Sequence, residues 1–331
     1  MTPQYLSDKN INHLEETLNR ELINVSHWLV ANKLSLNVKK SNVLLFRTKN
    51  NKNTLNIKLK LNGIPIEEKV EAKYLGVILD NKLSFEQHIK QVRSKLIKGN
   101  AILAKVRHFL PSHLLINTYN AHIQPHIDYG HTLWGYAAQT HINTISVQQK
   151  KAIRLMNFIK YKNRRECTKP LFKKCKILPI DLTLQLNSCK TLWKAANSLL
   201  CPSLDPIFHF RSESLTFFTP YKRLDITQKC LPYAGVRLWN TIPHNIRSSP
   251  SLSCFKNNLK AHLLSHLWAH SGPPLLTCLS RYSALLLPPN PLDLNTWVDF
   301  IKYELHVTIT HHCLFMKKKI RSLSFIILGF S

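Results

Sequence analysis

Lys73-Tyr74-Leu75-Gly76-Val77-Ile78-Leu79-Asp80-Asn81-Lys82-Leu83-Ser84-Phe85-Glu86-Gln87-His88-Ile89 contains a change of hydrophobic period. Tyr74 to Leu79 is a compact apolar run of strand length, whereas Phe85, Ile89, Val92, Leu96, Leu103 and Val106 recur at helical spacing. A short apolar run reads as a strand, and a three-to-four repeat as one face of a helix. The chain therefore passes from mixed α+β structure to helical structure near Asp80. Upstream, Leu55, Ile57, Leu59 and Leu61 alternate with Asn56, Lys58 and Lys60, a half-buried strand that runs straight into Asn62-Gly63. Asn-Gly after such alternation is a hairpin signal. Ile64 and Ile66 open the return strand, which Pro65 confines to an edge. Val43 to Phe46 reads as a buried strand. Before it, Ile11, Leu14, Leu18, Leu22, Val25 and Leu29 mark an amphipathic helix ending near Asn32.

Downstream, Pro111-Ser112 restarts the chain after a helix that runs to about His108, with Ser112 as the expected N-cap. That second helix should stop before Pro125. Ile142, Ile145, Ala152, Ile153, Met156 and Ile159 mark a third. Residues 161–270 read as mainly helical with irregular links. Leu182 to Leu200 is the clearest helix there, and Phe255, Leu259, Leu263 and Leu267 stack along the last one. From Ser271 the composition shifts, and Pro273, Pro274, Pro288, Pro289 and Pro291 break any regular element. The expected divisions are 1–82, 83–165, 166–270 and an irregular tail, 271–331. No internal repeat is apparent.

Across 331 residues, 46 Lys and Arg face 18 Asp and Glu, a formal net charge of +28. So basic a surface attracts polyanions, nucleic acid first among them. No run approaches the ~20 apolar residues that span a bilayer, so no membrane partner is expected. Met1 to Asn19 is polar, unlike a secretory leader, and the eight scattered cysteines contain no C-x-x-C pair. Both features fit reduced thiols and an intracellular location, nucleus or cytoplasm. Lys317-Lys318-Lys319-Ile320-Arg321 is either a nuclear address or a basic run without function.

Four ordered segments resemble one family. The first is Trp28-Leu29-Val30-Ala31-Asn32-Lys33-Leu34-Ser35-Leu36-Asn37, continuing to Lys40-Ser41 and Phe46. The second is Lys73-Tyr74-Leu75-Gly76-Val77 with Asp80, Leu83, Ser84, Phe85, His88 and Ile89. The third is Tyr119, Ile123, Pro125, Asp128-Tyr129-Gly130 and Trp134. The fourth is Leu238-Trp239-Asn240-Thr241-Ile242-Pro243 with Phe255-Lys256 and Leu259-Lys260. Together they resemble the C-terminal part of the reverse transcriptases of jockey-like non-LTR retrotransposons over residues 10–267. The resemblance implies the end of a palm, built as a helix plus a small antiparallel sheet, followed by an all-helical thumb and post-thumb region. It makes the activity of the complete enzyme RNA-directed DNA synthesis.

Polymerases of this kind hold two metal ions on carboxylates, which activate the 3′-hydroxyl and steady the leaving pyrophosphate. In family order those aspartates precede the Leu14–Asn32 helix. Here thirteen residues precede Leu14, with Asp8 the single acid, and no two aspartates are adjacent anywhere. The expectation is a truncated remnant, inactive alone, with no cofactor of its own although the complete enzyme uses magnesium. By resemblance Lys40 matches the lysine that protonates departing pyrophosphate, a role it plays only beside metals and triphosphate. Tyr74, Leu75 and Gly76 match the hairpin that grips the primer; ordinary edge-strand packing is the alternative for Tyr74 and Leu75.

Two basic clusters are the candidate contacts to RNA or DNA. Lys90, Arg93, Lys95, Lys98, Lys105 and Arg107 ride the first thumb helix. Residues 150–176 hold eleven basic side chains against Glu166 alone. Lys150, Lys151, Arg154, Arg164, Arg165, Lys173 and Lys174 are the expected contacts among them. Such patches track phosphates without choosing sequence. A merely solvated charged face is the alternative for either. Tyr161, Phe158 and Phe172 interleave with the cations and serve either as stacking platforms or as core. His262, His266 and His270 repeat every four residues but lack the paired spacings of a zinc site. No small-molecule substrate is expected. Two other readings remain open: a host-adopted binding or scaffold protein, and a polymerase subunit completed by a separate chain that carries the aspartates.

Overall fold

A computed structural model describes residues 11–33, 42–46, 58–61, 63–158, 167–197, 210–211, 214–218, 231–266 and 324–328. The chain divides into two compact units, residues 1–88 with 305–331, and residues 89–304. It is a helix-rich α+β protein with small sheets.

The first unit opens with helix α1 (Ile11–Ala31). Leu18 and Leu22, four apart in the expected stripe, are buried, while Trp28 stays 46% exposed. Strand β1 (Asn42–Phe46) buries Val43, Leu44, Leu45 and Phe46 consecutively. A run buried on successive residues has both faces covered, the habit of parallel strands. Strands β2 (Lys60–Leu61) and β3 (Ile64–Pro65) form the expected antiparallel hairpin, turning at Gly63 with φ 79°. The Asn19 side chain ties α1 to this hairpin, donating to the Lys58 carbonyl at 3.3 Å and accepting from the Lys60 N–H at 3.1 Å.

Strand β4 (Glu67–Glu68) pairs parallel with β1, and so does a strand from the far end of the chain, Ser324–Leu328. The three-stranded sheet, with β1 in the centre, is therefore parallel, which corrects the expected antiparallel sheet. Among the described residues only the two-stranded ribbons are antiparallel. The physical reason is β1 itself: it has no solvent-facing alternation and takes a neighbour on each edge.

The run Tyr74–Leu79, expected as one strand, is folded back on itself. Strand β5 (Glu71–Tyr74) and strand β6 (Val77–Asp80) pair antiparallel, with Tyr74 opposite Val77. The two loop residues, Leu75 and Gly76, both have positive φ, 47° and 88°. A two-residue loop with both φ values positive matches the right-handed twist of its strands. Asp80 then organises the exit. Its carboxylate accepts the N–H of Ser84 at 3.0 Å and of Phe85 at 2.8 Å. Leu83 and Phe85 are held at φ 52° and 57° beside it, with both side chains buried. His88 Nδ1 accepts from the Ile78 N–H at 3.3 Å.

Helix α2 (Glu86–Val106) carries the chain into the second unit. It is followed by α3 (Ser112–His122), α4 (Gln124–Asp128), α5 (His131–Trp134) and α6 (Gln139–Met156). Pro111, not Ser112, occupies the N-cap of α3, with no side-chain cap. Its extended backbone, at φ −66° and ψ 160°, starts the helix one residue earlier than expected. The α2 backbone passes close to the end of α3 at Gly99. A Cβ there would lie 2.7 Å from Ile123 Cγ1 and 3.0 Å from the His122 carbonyl oxygen. Asn100 donates to the Gln148 carbonyl at 3.1 Å and joins α2 to α6.

Helices α7 (Lys169–Cys175) and α8 (Ile180–Ala196) pack behind α6. Gln149 is the polar centre of this packing. Its amide donates to Tyr119 Oη at 3.0 Å and to the Leu178 carbonyl at 2.9 Å, and its oxygen accepts from the Ile180 N–H at 2.9 Å. Strands β7 (Phe210–Arg211) and β8 (Thr216–Phe217) then form a short hairpin, so the post-thumb region is not all-helical as expected. A π-helical turn at Leu231–Gly235 leads into α9 (Val236–Thr241), α10 (His244–Arg247) and α11 (Leu252–Ser265). The Trp-Asn pair of the fourth motif holds the β7–β8 hairpin. Trp239 Nε1 donates to the Leu215 carbonyl at 2.9 Å. The Asn240 amide takes both backbone groups of Phe217, at 3.1 and 2.9 Å, as a neighbouring strand would. In the tail read as irregular from sequence, Ser324–Leu328 forms strand β9.

Candidate nucleic-acid interface

Helix α2 buries one apolar stripe and exposes its cations, although Ile97 and Ile102 are also exposed. Ile89, Val92, Leu96 and Leu103 are buried, and Lys90, Arg93, Lys95, Lys98 and Lys105 are exposed between them. At the helix end Arg107 turns to Phe158, just past the end of α6, with the guanidinium 5.8 Å from the ring centroid. His108 lies edge-on to the same ring at 6.5 Å. Phe158 is 47% exposed at φ 57°, and Phe109 nearby in sequence is 85% exposed. Phe158 is thus an exposed ring beside a cation. Of the other interleaved aromatics, Phe172 belongs to the core and Tyr161 lies outside the described residues.

The 150–176 cluster is divided by helical phase. Lys150 and Arg154, four apart on α6, line a cleft of about 650 Å³ together with Lys169 of α7. Lys151, Lys173 and Lys174 are exposed and do not line it. Lys176 closes α7 in the left-handed region at φ 53°. Arg164, Arg165 and Lys40 lie outside the described residues. The structure thus brings Lys150, Arg154 and Lys169 together, and brings Arg107 of the first cluster to the end of the helix that carries the second. Tyr74, Leu75 and Gly76 stand apart from both in sequence and belong to the first unit, where Leu75 and Gly76 form the exposed loop of the β5–β6 hairpin.

Carboxylates are sparse here, and those present have structural duties. Asp80 caps the turn before α2, and Asp128 accepts from Gln124 at 3.0 Å and Asn187 at 3.1 Å. Burial raises the Asp181 carboxyl, opposed by Lys150 and a hydrogen bond from Gln139. Among the described residues no group of three or more His, Cys, Asp or Glu side chains is arranged to hold a metal ion. Such a group is what a two-magnesium polymerase centre would require. His262 and His266 meet edge to face at 4.4 Å, and burial, then His266, lowers the His262 imidazole. The described cysteines, Cys167, Cys175, Cys189 and Cys254, are free thiols. Among the described residues no helix is long and apolar enough to cross a membrane.

Charge pointed to the basic clusters and the interleaved aromatics to Phe158, but neither revealed the cleft. Only the i, i+4 phase linking Lys150 to Arg154 was available to foresee the cleft.

The class of protein that this chain resembles is the RNA-directed DNA polymerase of mobile elements. It is 29% identical over 134 residues to a probable RNA-directed DNA polymerase from transposon X-element of Drosophila melanogaster, covering 40% of this chain and 14% of that protein. It is 37% identical over 98 residues to the RNA-directed DNA polymerase from mobile element jockey of Drosophila funebris, covering 28% of this chain and 11% of that protein. The jockey polymerase of Drosophila melanogaster is 35% identical over the same length. Curated relatives thus match a jockey-like resemblance over part of the chain, and the chain spans a small fraction of their length. No family model matches the chain, and no solved structure matches it significantly.

Proposed function

We propose that this chain is the part of a jockey-like reverse transcriptase that runs from the end of the palm through the thumb and beyond, and that it binds RNA or DNA without extending a primer by itself. The observation that carries this reading is the set of exposed cations on α2, α6 and α7, with the exposed Phe158 ring beside Arg107, in a chain similar to mobile-element polymerases. Lysine and arginine along a helix neutralise phosphates and release counterions, which gives affinity indifferent to sequence. Stacking on Phe158 adds affinity for unpaired bases. The hairpin at Leu75-Gly76 matches the family's primer grip, where a backbone free of bulk approaches a sugar-phosphate closely. Lys40 has the position of the family's pyrophosphate-protonating lysine and no chemistry to perform without metal-bound triphosphate. Polymerisation needs paired carboxylates, and the 331 residues contain no adjacent aspartates.

The test is a primer-extension assay with magnesium and deoxynucleotides, with a gel-shift titration of the same purified protein on single-stranded and duplex DNA and RNA. Retarded complexes without extension are expected. Extension that is abolished by substituting one of this chain's own residues contradicts the proposal, and so does the absence of any complex at 50 mM salt.

A further inference from the structure

The cleft between α6, α7, α8 and α11 has the chemistry of a nucleotide pocket, and we infer that it takes a single unstacked nucleotide, free or at the end of a strand. The inference rests on the nucleic-acid reading and names a site within it. The volume, about 650 Å³, falls in the range that small ligands occupy. The apolar part of its lining is Phe172, Leu182, Leu238, Ile242, Leu259 and Leu263. The charged part is Lys150, Arg154 and Lys169 with one acid, Asp181. A ligand that satisfies both has a flat apolar body and an anionic group.

The polar group within the cleft selects among such ligands. Gln185 lines the cleft with little of its side chain exposed, and its amide opens into that space without a hydrogen bond to another described residue. An amide that opens into a cleft supplies both a donor and an acceptor to a ligand that carries their complements. An acyl chain offers neither; a nucleobase edge offers both. Asp181 stands four residues before Gln185 on the same helix and supplies a further polar group for that edge. The phosphate then faces Lys150, Arg154 and Lys169, and the base lies against the Phe172 and Leu259 side.

Adenosine 5′-monophosphate titrated calorimetrically into the full chain is the direct probe, with adenosine and myristate as comparisons. Saturable binding of the nucleotide is expected, at least tenfold weaker for adenosine, which lacks the phosphate. Gln185→Leu and Lys150→Glu should each weaken it at least tenfold; Lys150 is exposed, so its substitution leaves the core intact. A 5′-phosphorylated decamer with a terminal 2-aminopurine separates the two sources. Competition between decamer and nucleotide identifies a strand end, and nucleotide binding without competition identifies the free nucleotide. No nucleotide binding, or preference for myristate, or indifference to both substitutions overturns the inference. If long strands still bind in that case, the interface reading survives; if nucleotide binds and long strands do not, that reading falls and the pocket stands.

Discussion

His131 is fully buried beside Trp134, their rings 4.6 Å apart, and neither imidazole nitrogen has a partner among the described residues. Burial pushes its pKa from 6.5 down to about 3, so the folded protein keeps it neutral. The unfolded chain takes up this proton near pH 6.5 and the folded chain does not. Stability is therefore complete above about pH 6.5 and falls as the pH drops towards 3, at about 1.4 kcal/mol per pH unit for one proton. His126 and His262, both lowered chiefly by burial, act in the same direction. The expected outcome is a melting temperature that declines from pH 7 to pH 5, with a shallower decline in His131→Phe. Equal declines in the two proteins would contradict the assignment. Asp80 makes a second claim at this scale. Its carboxylate holds the turn at Leu83 and Phe85, and Asp80→Ala should cost about 2 kcal/mol in urea unfolding, the worth of charge-assisted bonds in a strained turn. Leu75 makes the reverse case: an exposed leucine at φ 47° is strained, so Leu75→Asn should raise the melting temperature.

Among the elements, α2 shows where sequence sufficed and where it did not. Its buried positions follow an unbroken three-to-four repeat, and α8 and the β2–β3 hairpin were similarly legible from period and from Asn62-Gly63. The β5–β6 hairpin was not legible from period, because Leu75 is no turn former and Glu71–Tyr74 is too polar to stand out; only the family resemblance placed a hairpin at Tyr74-Leu75-Gly76. The β1–β9 pairing joins segments from opposite ends of the chain, and no local pattern encodes so distant a register. The Asp80 and Asn240 bonds were visible only as motif letters; the structure gives both residues turn-holding and hairpin-holding duties. At the candidate site the cations were legible and their sorting was not, since a single step along α6 separates Lys150, which lines the cleft, from exposed Lys151. Close packing of α2 on the end of α3 has its own consequence. Gly99→Ala gains helix propensity of about 1 kcal/mol, but its Cβ would meet a carbonyl and Ile123. Overpacking of this kind costs about 1–3 kcal/mol, so a lower melting temperature is expected. A higher one would mean that the two helices separate readily.

For the whole molecule, a net charge of +28 is the dominant property. It opposes compaction and favours any polyanion. Asp80 is engaged in a turn, and Asp128 accepts from Gln124 and Asn187. The direct measurement is the dependence of affinity on salt, for a 30-residue oligonucleotide between 50 and 200 mM sodium chloride. If roughly five to eight phosphates are neutralised, affinity should fall by about three to four orders of magnitude. Lys151→Glu, Lys173→Glu and Lys174→Glu together should lower the slope of log affinity against log salt by about 2–3, one unit for each lost contact. Oligonucleotides of unrelated sequence should give the same slope. A flat salt dependence, or an unchanged slope in the triple variant, would contradict a nucleic-acid interface on α6 and α7.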